Sequence, residues 1–213
     1  KHNTAVIDYG MGNLLSVRRG LEHCGAKVSV TSDPEVIYSA SRVVLPGVGA
    51  FPDAMKELCR LGLDEVLQQV SARGTPLMGI CLGMQMLLDE SDEFDKTAGL
   101  GLIPGCVIPL PTNTLVGKSQ KIPHIGWNAL EMSPRCKDWQ GTVLNDIRPG
   151  DYAYFVHSFM AMPRNSDDRI ADFIFGGHLV SAVIRQENIM GCQFHPEKSG
   201  EIGLKVLKRF LLL

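Results

Sequence analysis

The sequence predicts an α/β fold, an open, mostly parallel twisted sheet flanked by helices with a smaller antiparallel extension. Three observations lead there. Apolar, β-rich runs ending in Gly, Asp or Pro alternate with helical patterns as far as Gln85, the rhythm of strand-helix-strand units. Beyond Gly99 the texture changes to short runs punctuated by Gly and Pro, which suit loops and antiparallel strands. The 213 residues, 45% of them hydrophobic and with a net charge of -2, suffice for one packed core. No repeat, low-complexity tract or linker divides the chain, so residues 1–213 are expected to form a single domain.

The elements follow in order. Thr4 to Asp8 reads as the first strand, and Tyr9-Gly10-Met11-Gly12 as a turn. Asn13 is placed to cap a helix whose stripe Leu14, Val17, Leu21 and Cys24 has helical spacing and which ends near Gly25. Val28 to Val30 is a strand, Asp33-Pro34-Glu35 a helix start, and Arg42 to Leu45 another strand. Phe51 to Val70 reads as one or two helices interrupted around Gly62. Pro76 to Ile80 is the next strand and Leu82 to Leu88 the helix after it, which leaves Cys81 at the corner between them. Further strands are expected at Tyr152 to Val156, Leu179 to Ile184 and Ile189 to Phe194. A last helix, Gly200 to Leu213, would bury Ile202, Val206, Leu207 and Phe210.

Several functions are excluded early. No run approaches the roughly 18 apolar residues of a membrane span, and Lys1 to Thr4 precedes the first strand without a signal-type apolar core. The balanced charge, with no Lys/Arg cluster, offers no footprint for nucleic acid or an anionic membrane. Six cysteines lie apart with no Cys-x-x-Cys pair, as expected of reduced thiols in the cytoplasm. Pro46-Gly47-Val48-Gly49 lacks the Gly-Lys-Ser/Thr of a nucleotide loop, and Gly10-Met11-Gly12 lacks the third glycine of a dinucleotide site. No cofactor and no metal are expected.

The corner Gly79-Ile80-Cys81-Leu82-Gly83 carries the chemistry. A tight strand-to-helix turn thrusts its side chain away from the sheet, and small flanking residues allow close packing around it. Unpaired N–H groups at the start of the next helix favour negative charge, and that of Leu82 points where an oxyanion would form. Taken alone, the corner reads more readily as a small buried thiol at a turn than as a catalytic one. Gln193-Phe194-His195-Pro196-Glu197 changes that balance. Pro196 keeps His195 out of helical geometry, and in an extended segment residues two apart share a side, so Glu197 can orient the imidazole of His195 toward Cys81. Both turns can lie at the carboxyl ends of parallel strands, where such sheets build their sites. The glycine-rich turn after Leu45 offers the N–H groups of Val48 and Gly49 as a second oxyanion donor.

Six motifs, Asp8 to Asn13, Leu45 to Gly49, Gly79 to Gln85, His124-Ile125-Gly126-Trp127-Asn128, Tyr154 to Ser158 and His195 to Gly200, span essentially the whole chain. Together they resemble the class I (triad) glutamine amidotransferases of flavodoxin-like fold, and among them the glutaminase subunits of imidazole glycerol phosphate synthases. The resemblance implies that Cys81 attacks the side-chain amide of glutamine, that His195 passes the thiol proton to the departing ammonia, and that Glu197 orients the imidazole. It implies that Gln85 and Glu93 bind the polar head of glutamine, with backbone groups of Gly47, His157, Ser158 and Phe159 completing the pocket. It further implies a heterodimer in which a (β/α)8-barrel cyclase receives the ammonia through a channel and makes imidazole glycerol phosphate and an aminoimidazole carboxamide ribonucleotide. Asn13, Arg19, Trp127, Tyr154 and Lys198 match the family's docking surface. Two features depart from the pattern: Leu14 and Leu15 replace polar residues of some relatives, and Pro109 to Lys121 is longer or more variable. The competing readings are a glutaminase subunit of another class I amidotransferase, a cysteine hydrolase of another kind on the same sheet, and a binding module that keeps the architecture without turnover.

Overall fold

The computed structural model describes residues 3–213. The first half runs β1 (Asn3–Ile7), α1 (Leu14–His23), β2 (Lys27–Thr31), α2 (Pro34–Ser39), β3 (Arg42–Leu45), α3 (Phe51–Arg60), α4 (Leu63–Ala72), β4 (Leu77–Ile80) and α5 (Leu82–Gln85). The strands β5 (Glu90–Ser91), β6 (Thr97–Ala98), β7 (Gly105–Pro109), β8 (His124–Ala129), β9 (Glu131–Met132), β10 (Tyr152–His157), β11 (Phe159–Pro163), β12 (Arg169–Phe175), β13 (His178–Gln186) and β14 (Ile189–Cys192) follow, and α6 (Gly200–Phe210) closes the chain.

The main sheet has the order β2-β1-β3-β4-β14-β13-β12-β9. Its first five strands are mutually parallel, and β13, β12 and β9 continue it antiparallel. This is the expected fold class. Smaller sheets pair β10 with β8 and set β11-β7-β5-β6 side by side. Helices cover both faces. Val17 and Leu21 of α1 and Val206, Leu207 and Phe210 of α6 belong to one buried cluster, and Phe51, Leu58, Leu63 and Leu67 of α3 and α4 to the other. Burial on both faces explains why residues 43–45 of β3 and all of β4 read as continuous apolar runs rather than alternating ones.

Local signals account for most boundaries. The side chain of Asp33 accepts a hydrogen bond from the Glu35 N–H at 3.0 Å with Pro34 next to it, a capped helix start. Gly62, at φ +68°, separates α3 from α4 because that left-handed geometry ends one helix and admits the next. Other expectations need correction. Asn13 stands at the start of α1, but its side chain makes no capping bond; only its carbonyl does, accepting from the Val17 N–H at 3.1 Å. The helix expected over Leu82 to Leu88 ends at Gln85, because the carbonyls of Met86, Leu87 and Leu88 are taken by N–H groups of Leu100, Leu102 and Gly101. β14 stops at Cys192, before Phe194. Ile202 is half-buried, and β7, β8, β11 and β12 are strands the sequence reading did not place.

One register positions the site. β14 lies parallel to β4 with Cys192 opposite Ile80, and the Cys81 N–H donates to the Cys192 carbonyl at 2.7 Å. The corner after β4 and the segment leading to His195 therefore leave the sheet side by side at its carboxyl edge. α6 buttresses that segment from behind, since a Cβ on Gly203 would overlap the Pro196 carbonyl. Gly203→Ala is expected to cost about 1–3 kcal/mol in chemical denaturation, the range for overpacking, and to impair activity by shifting the His195 turn. Wild-type stability and activity in that variant would refute the buttress.

Candidate active site

The corner is a strained one. Cys81 has φ 55° and ψ -113°, a region a side-chain-bearing residue enters at a cost of order 1–3 kcal/mol and holds only where its surroundings over-determine it. They do so here. A Cβ at Gly79 would sit 2.6 Å from the Gly83 carbonyl carbon, and one at Gly83 would overlap the Leu45 carbonyl oxygen, so both glycines let α5 press against β3 and β4. The N–H of Leu82, at the first position of α5, has no partner within the helix. Nearby, the Tyr9 hydroxyl donates to the Pro46 carbonyl at 2.7 Å and ties down the glycine-rich turn. Burial, then the neighbouring Cys81, pushes the Tyr9 phenol up, so it stays neutral as that donor. Gly49 adopts φ +100° in the same turn.

His195 is held at both ends. Its backbone is extended (φ -96°, ψ 101°), its N–H donates to the Tyr154 carbonyl at 3.0 Å, and its own carbonyl accepts from the Ser199 hydroxyl at 2.6 Å. Its Nδ1 lies 2.6 Å from Glu197 Oε1, with both side chains almost fully buried. Burial pulls the imidazole pKa down, but Cys81 and Glu197 outweigh it and raise the value to about 9. Toward Cys81 two observations differ. The sulfur is close enough to favour the imidazolium, yet Nε2 makes no aligned hydrogen bond. The difference resolves in the thiol, which is directed to the Val156 carbonyl at 3.7 Å. The thiol and the imidazole thus line one cavity without an aligned hydrogen bond between them.

A cavity of about 300 Å³ joins these groups. Cys81, Leu82 and His195 line one part, Val48 and Gly49 another, and Gln85, Glu93, His157, Ser158 and Phe159 the rest. Gly47 is not among the lining residues; a Cβ there would crowd the Tyr9 hydroxyl and the Gly83 nitrogen, at 2.7 and 2.9 Å, so it serves packing. Glu93, which reads from sequence equally well as a solvated charge, reaches back from the cavity to accept from the Phe51 N–H at 2.9 Å and caps α3, whose own cap position is an alanine. Burial raises its pKa despite that bond. The Gln85 amide nitrogen donates to the Phe159 carbonyl at 3.2 Å and to Gln193 Oε1 at 3.0 Å. Among the described residues, no group of three or more His, Cys, Asp or Glu side chains is arranged to hold a metal ion.

Three contributors escaped the sequence reading. Pro123 and Val156 line the cavity, and Gln193 donates to Cys81 Sγ at 3.7 Å. A signal for Gln193 existed: it stands two before His195 in an extended run, so the alternation that pairs His195 with Glu197 also places it on that side. Of the expected docking residues, Trp127 and Tyr154 are cross-strand neighbours on β8 and β10 with ring centroids 5.8 Å apart. Trp127, Arg19 and Lys198 are exposed, while Asn13 and Tyr154 are half-buried.

His157 has its Nδ1 2.7 Å from the Phe159 carbonyl and its Nε2 buried without a partner. Burial lowers its pKa from 6.5 to about 4, so it is neutral at pH 7. The unfolded chain then binds more protons than the folded one between those values, and stability contributed by this group is lost as pH falls from 6.5 to 4. At about 1.4 kcal/mol per pH unit the loss amounts to at most about 3.5 kcal/mol. His195 acts oppositely, contributing stability that is full below pH 6.5 and is lost as pH rises through about 9. His157→Asn is expected to flatten the acid limb of a stability-pH curve measured by urea denaturation. An unchanged acid limb would contradict a neutral buried His157.

Comparison with known proteins places the chain in a family. Residues 5–213 match the family model described as glutamine amidotransferase class-I. A protein of Legionella pneumophila (strain Lens) named imidazole glycerol phosphate synthase subunit HisH 1 is 51% identical over 209 residues, 98% of each chain. The HisH subunit of Caldanaerobacter subterraneus subsp. tengcongensis is 45% identical over 205 residues, covering 96% of this chain and 95% of its own. Among solved structures, PurLQS from Thermotoga maritima superposes with a TM-score of 0.74 at 19% identity, over 100% of this chain and 98% of that one, a likeness of fold.

Proposed function

The chain belongs to the class-I glutamine amidotransferase family, within the imidazole glycerol phosphate synthase subunits HisH, and from that premise we propose how it hydrolyses glutamine and where the ammonia goes. The whole chain acts as a single glutaminase domain. Glutamine lies in the 300 Å³ cavity with its ammonium and carboxylate toward Glu93, Gln85 and the backbone of His157, Ser158 and Phe159, while Gly47 supports the wall from behind. Its side-chain amide lies over Cys81. His195 takes the thiol proton at Nε2, forming the thiolate–imidazolium pair whose attraction, with that of Glu197, holds the imidazole pKa at about 9, and the sulfur adds to the amide carbon. The oxyanion is met by the Leu82 N–H and by an N–H of Val48 or Gly49. His195 then returns the proton to the nitrogen, the carbon-nitrogen bond breaks, and ammonia leaves a glutamyl thioester. A water deprotonated by His195 attacks that thioester, releasing glutamate and restoring the thiol. Glu197 keeps Nε2 of His195 free to accept by taking the hydrogen of Nδ1 at 2.6 Å.

The reading is carried by one observation: the thiol and the Glu197-held imidazole come from separate parts of the chain and line the same cavity as Gln85 and Glu93. The ammonia passes to a cyclase subunit, a (β/α)8 barrel docked over Asn13, Arg19, Trp127, Tyr154 and Lys198, which makes imidazole glycerol phosphate and the aminoimidazole carboxamide ribonucleotide. Six free cysteines suit a reducing cytoplasm, and among the described residues no helix is long and apolar enough to cross a membrane. Ammonia release from glutamine, assayed with and without the cyclase and its ligand, tests the scheme. We assign to the docked partner the task of turning an N–H of Val48 or Gly49 onto the oxyanion, so the partner is expected to raise turnover by about 10²-fold, the effect of a single such donor. Full turnover by the chain alone would refute that coupling, and no glutamine hydrolysis in either assay would refute the function.

A further inference from the structure

Gln193, which the mechanism above leaves unused, lies beneath the cavity and links two residues of its wall, Gln85 and Cys81. Gln193, fully buried just after β14, has its backbone N–H bonded to the Ala182 carbonyl at 2.8 Å, and its amide lies between Gln85 and Cys81. The direction of the link follows from its far end. The Phe159 backbone oxygen can only accept, so the Gln85 group 3.2 Å away must be the NH2. The same NH2, 3.0 Å from Gln193, requires an acceptor there, so the oxygen of Gln193 faces Gln85. That leaves the Gln193 NH2 facing Cys81 Sγ, at 3.7 Å. Amide orientations are normally ambiguous, but here a backbone carbonyl removes the choice.

We infer that Gln193 is a hydrogen-bond donor to the reacting sulfur, and that Gln85 is a positioning residue that aims it through an amide relay anchored on the Phe159 carbonyl. The thiol gives its hydrogen toward Val156 at rest. Once that proton has gone to His195, the Gln193 N–H remains as a donor to the thiolate, and hydrogen bonds to an ionised group are about twice as strong as neutral ones. The relay therefore favours the thiolate over the thiol. It also gives the pocket wall a route to the nucleophile: Phe159 and Gln85 both line the cavity, so an occupant that displaces the Gln85 amide alters the donor at sulfur. This rests on Cys81 being the nucleophile of the proposed reaction.

Alkylation of Cys81 by iodoacetamide, followed by mass spectrometry of its peptide, needs no substrate and separates the relay from glutamine binding. His195, with Glu197 behind it, and Tyr9, which stays neutral, are the titratable neighbours of the sulfur, and they are common to all variants. Gln193→Met keeps the bulk and removes the donor. It is expected to slow alkylation at pH 7 by about tenfold, to move the alkylation profile to higher pH, and to lower kcat by about tenfold with KM changed less than about threefold. Gln193→Glu places an acceptor beside the sulfur and is expected to slow alkylation further. Gln85→Met should slow it through loss of aim alone, and the double variant Gln85→Met/Gln193→Met should be no slower than Gln193→Met. Wild-type alkylation in either Gln193 variant, or losses that multiply in the double variant, would overturn the relay. Cys81→Ala that still hydrolyses glutamine would instead overturn the assignment of the nucleophile, leaving the alkylation result to stand as a property of the thiol.

Discussion

Cys81→Ala is expected to abolish glutamine-dependent ammonia release, with at least about a 10⁴-fold loss, because no other group in the cavity can form the thioester. The fold should survive. Alanine differs from cysteine by one sulfur, and the backbone strain at φ 55° is set by Gly79, Gly83 and the bond from the Cys81 N–H to the Cys192 carbonyl, none of which is altered. The variant assembled with the proposed cyclase partner should retain synthesis from added ammonia, since only the source of ammonia is removed. Ammonia release by coupled assay, beside ammonia-dependent synthesis, checks both halves. Residual glutaminase activity above about a hundredth of wild type would mean that the nucleophile lies elsewhere.

Glu197→Gln should cost nearly as much, about 10³-fold in kcat, although it changes neither size nor shape. The reason is the tautomer. The carboxylate accepts from Nδ1 of His195 at 2.6 Å, which leaves Nε2 as the base toward sulfur. A glutamine can turn its NH2 to that nitrogen, placing the ring hydrogen on Nε2, where it blocks acceptance of the thiol proton. Loss of the carboxylate also removes one of the two influences that hold the imidazole pKa up near 9. The pH profile of Cys81 alkylation should therefore shift along with kcat. A Glu197→Gln enzyme with kcat within threefold of wild type would show that Glu197 acts in packing alone.

The parallel half of the fold was legible because its signals are local. Asp33-Pro34 marks a helix start, Gly62 a break, and the runs over residues 43–45 of β3 and over β4 are apolar because helices cover both their faces. The antiparallel half depends on pairings distant in sequence. β12 contains Asp172 in an otherwise apolar run, and that aspartate is tolerated only because Arg169, 2.9 Å away, pairs with it. β8 carries Gly126 at φ 150°, and β11 follows β10 after one residue, so neither shows bounded alternation. The end of α5 was set by Leu100, Gly101 and Leu102, whose N–H groups no local rule assigns to Met86, Leu88 and Leu87.

The site divides the same way. Cys81, His195 and Glu197 were readable because each sits in a short motif whose geometry follows from backbone rules: a glycine-flanked corner and a proline-restricted turn. Their meeting depends on the Ile80-Cys192 register, which the pattern of strands suggested without fixing. Glu93 was ambiguous because its role rests on the Phe51 N–H, which has no partner within α3 and donates to it across a distance in sequence, and Gln193 was missed although alternation pointed to it.

The central claim is that Cys81 is the nucleophile of a glutamine site. A glutamine analogue carrying an electrophilic carbon in place of its amide, followed by peptide mass spectrometry, tests it most directly. The account predicts a single stoichiometric adduct on Cys81, formed faster than on the exposed Cys59 and suppressed by excess glutamine. An adduct on another cysteine, or labelling of Cys81 that glutamine does not slow, would contradict it.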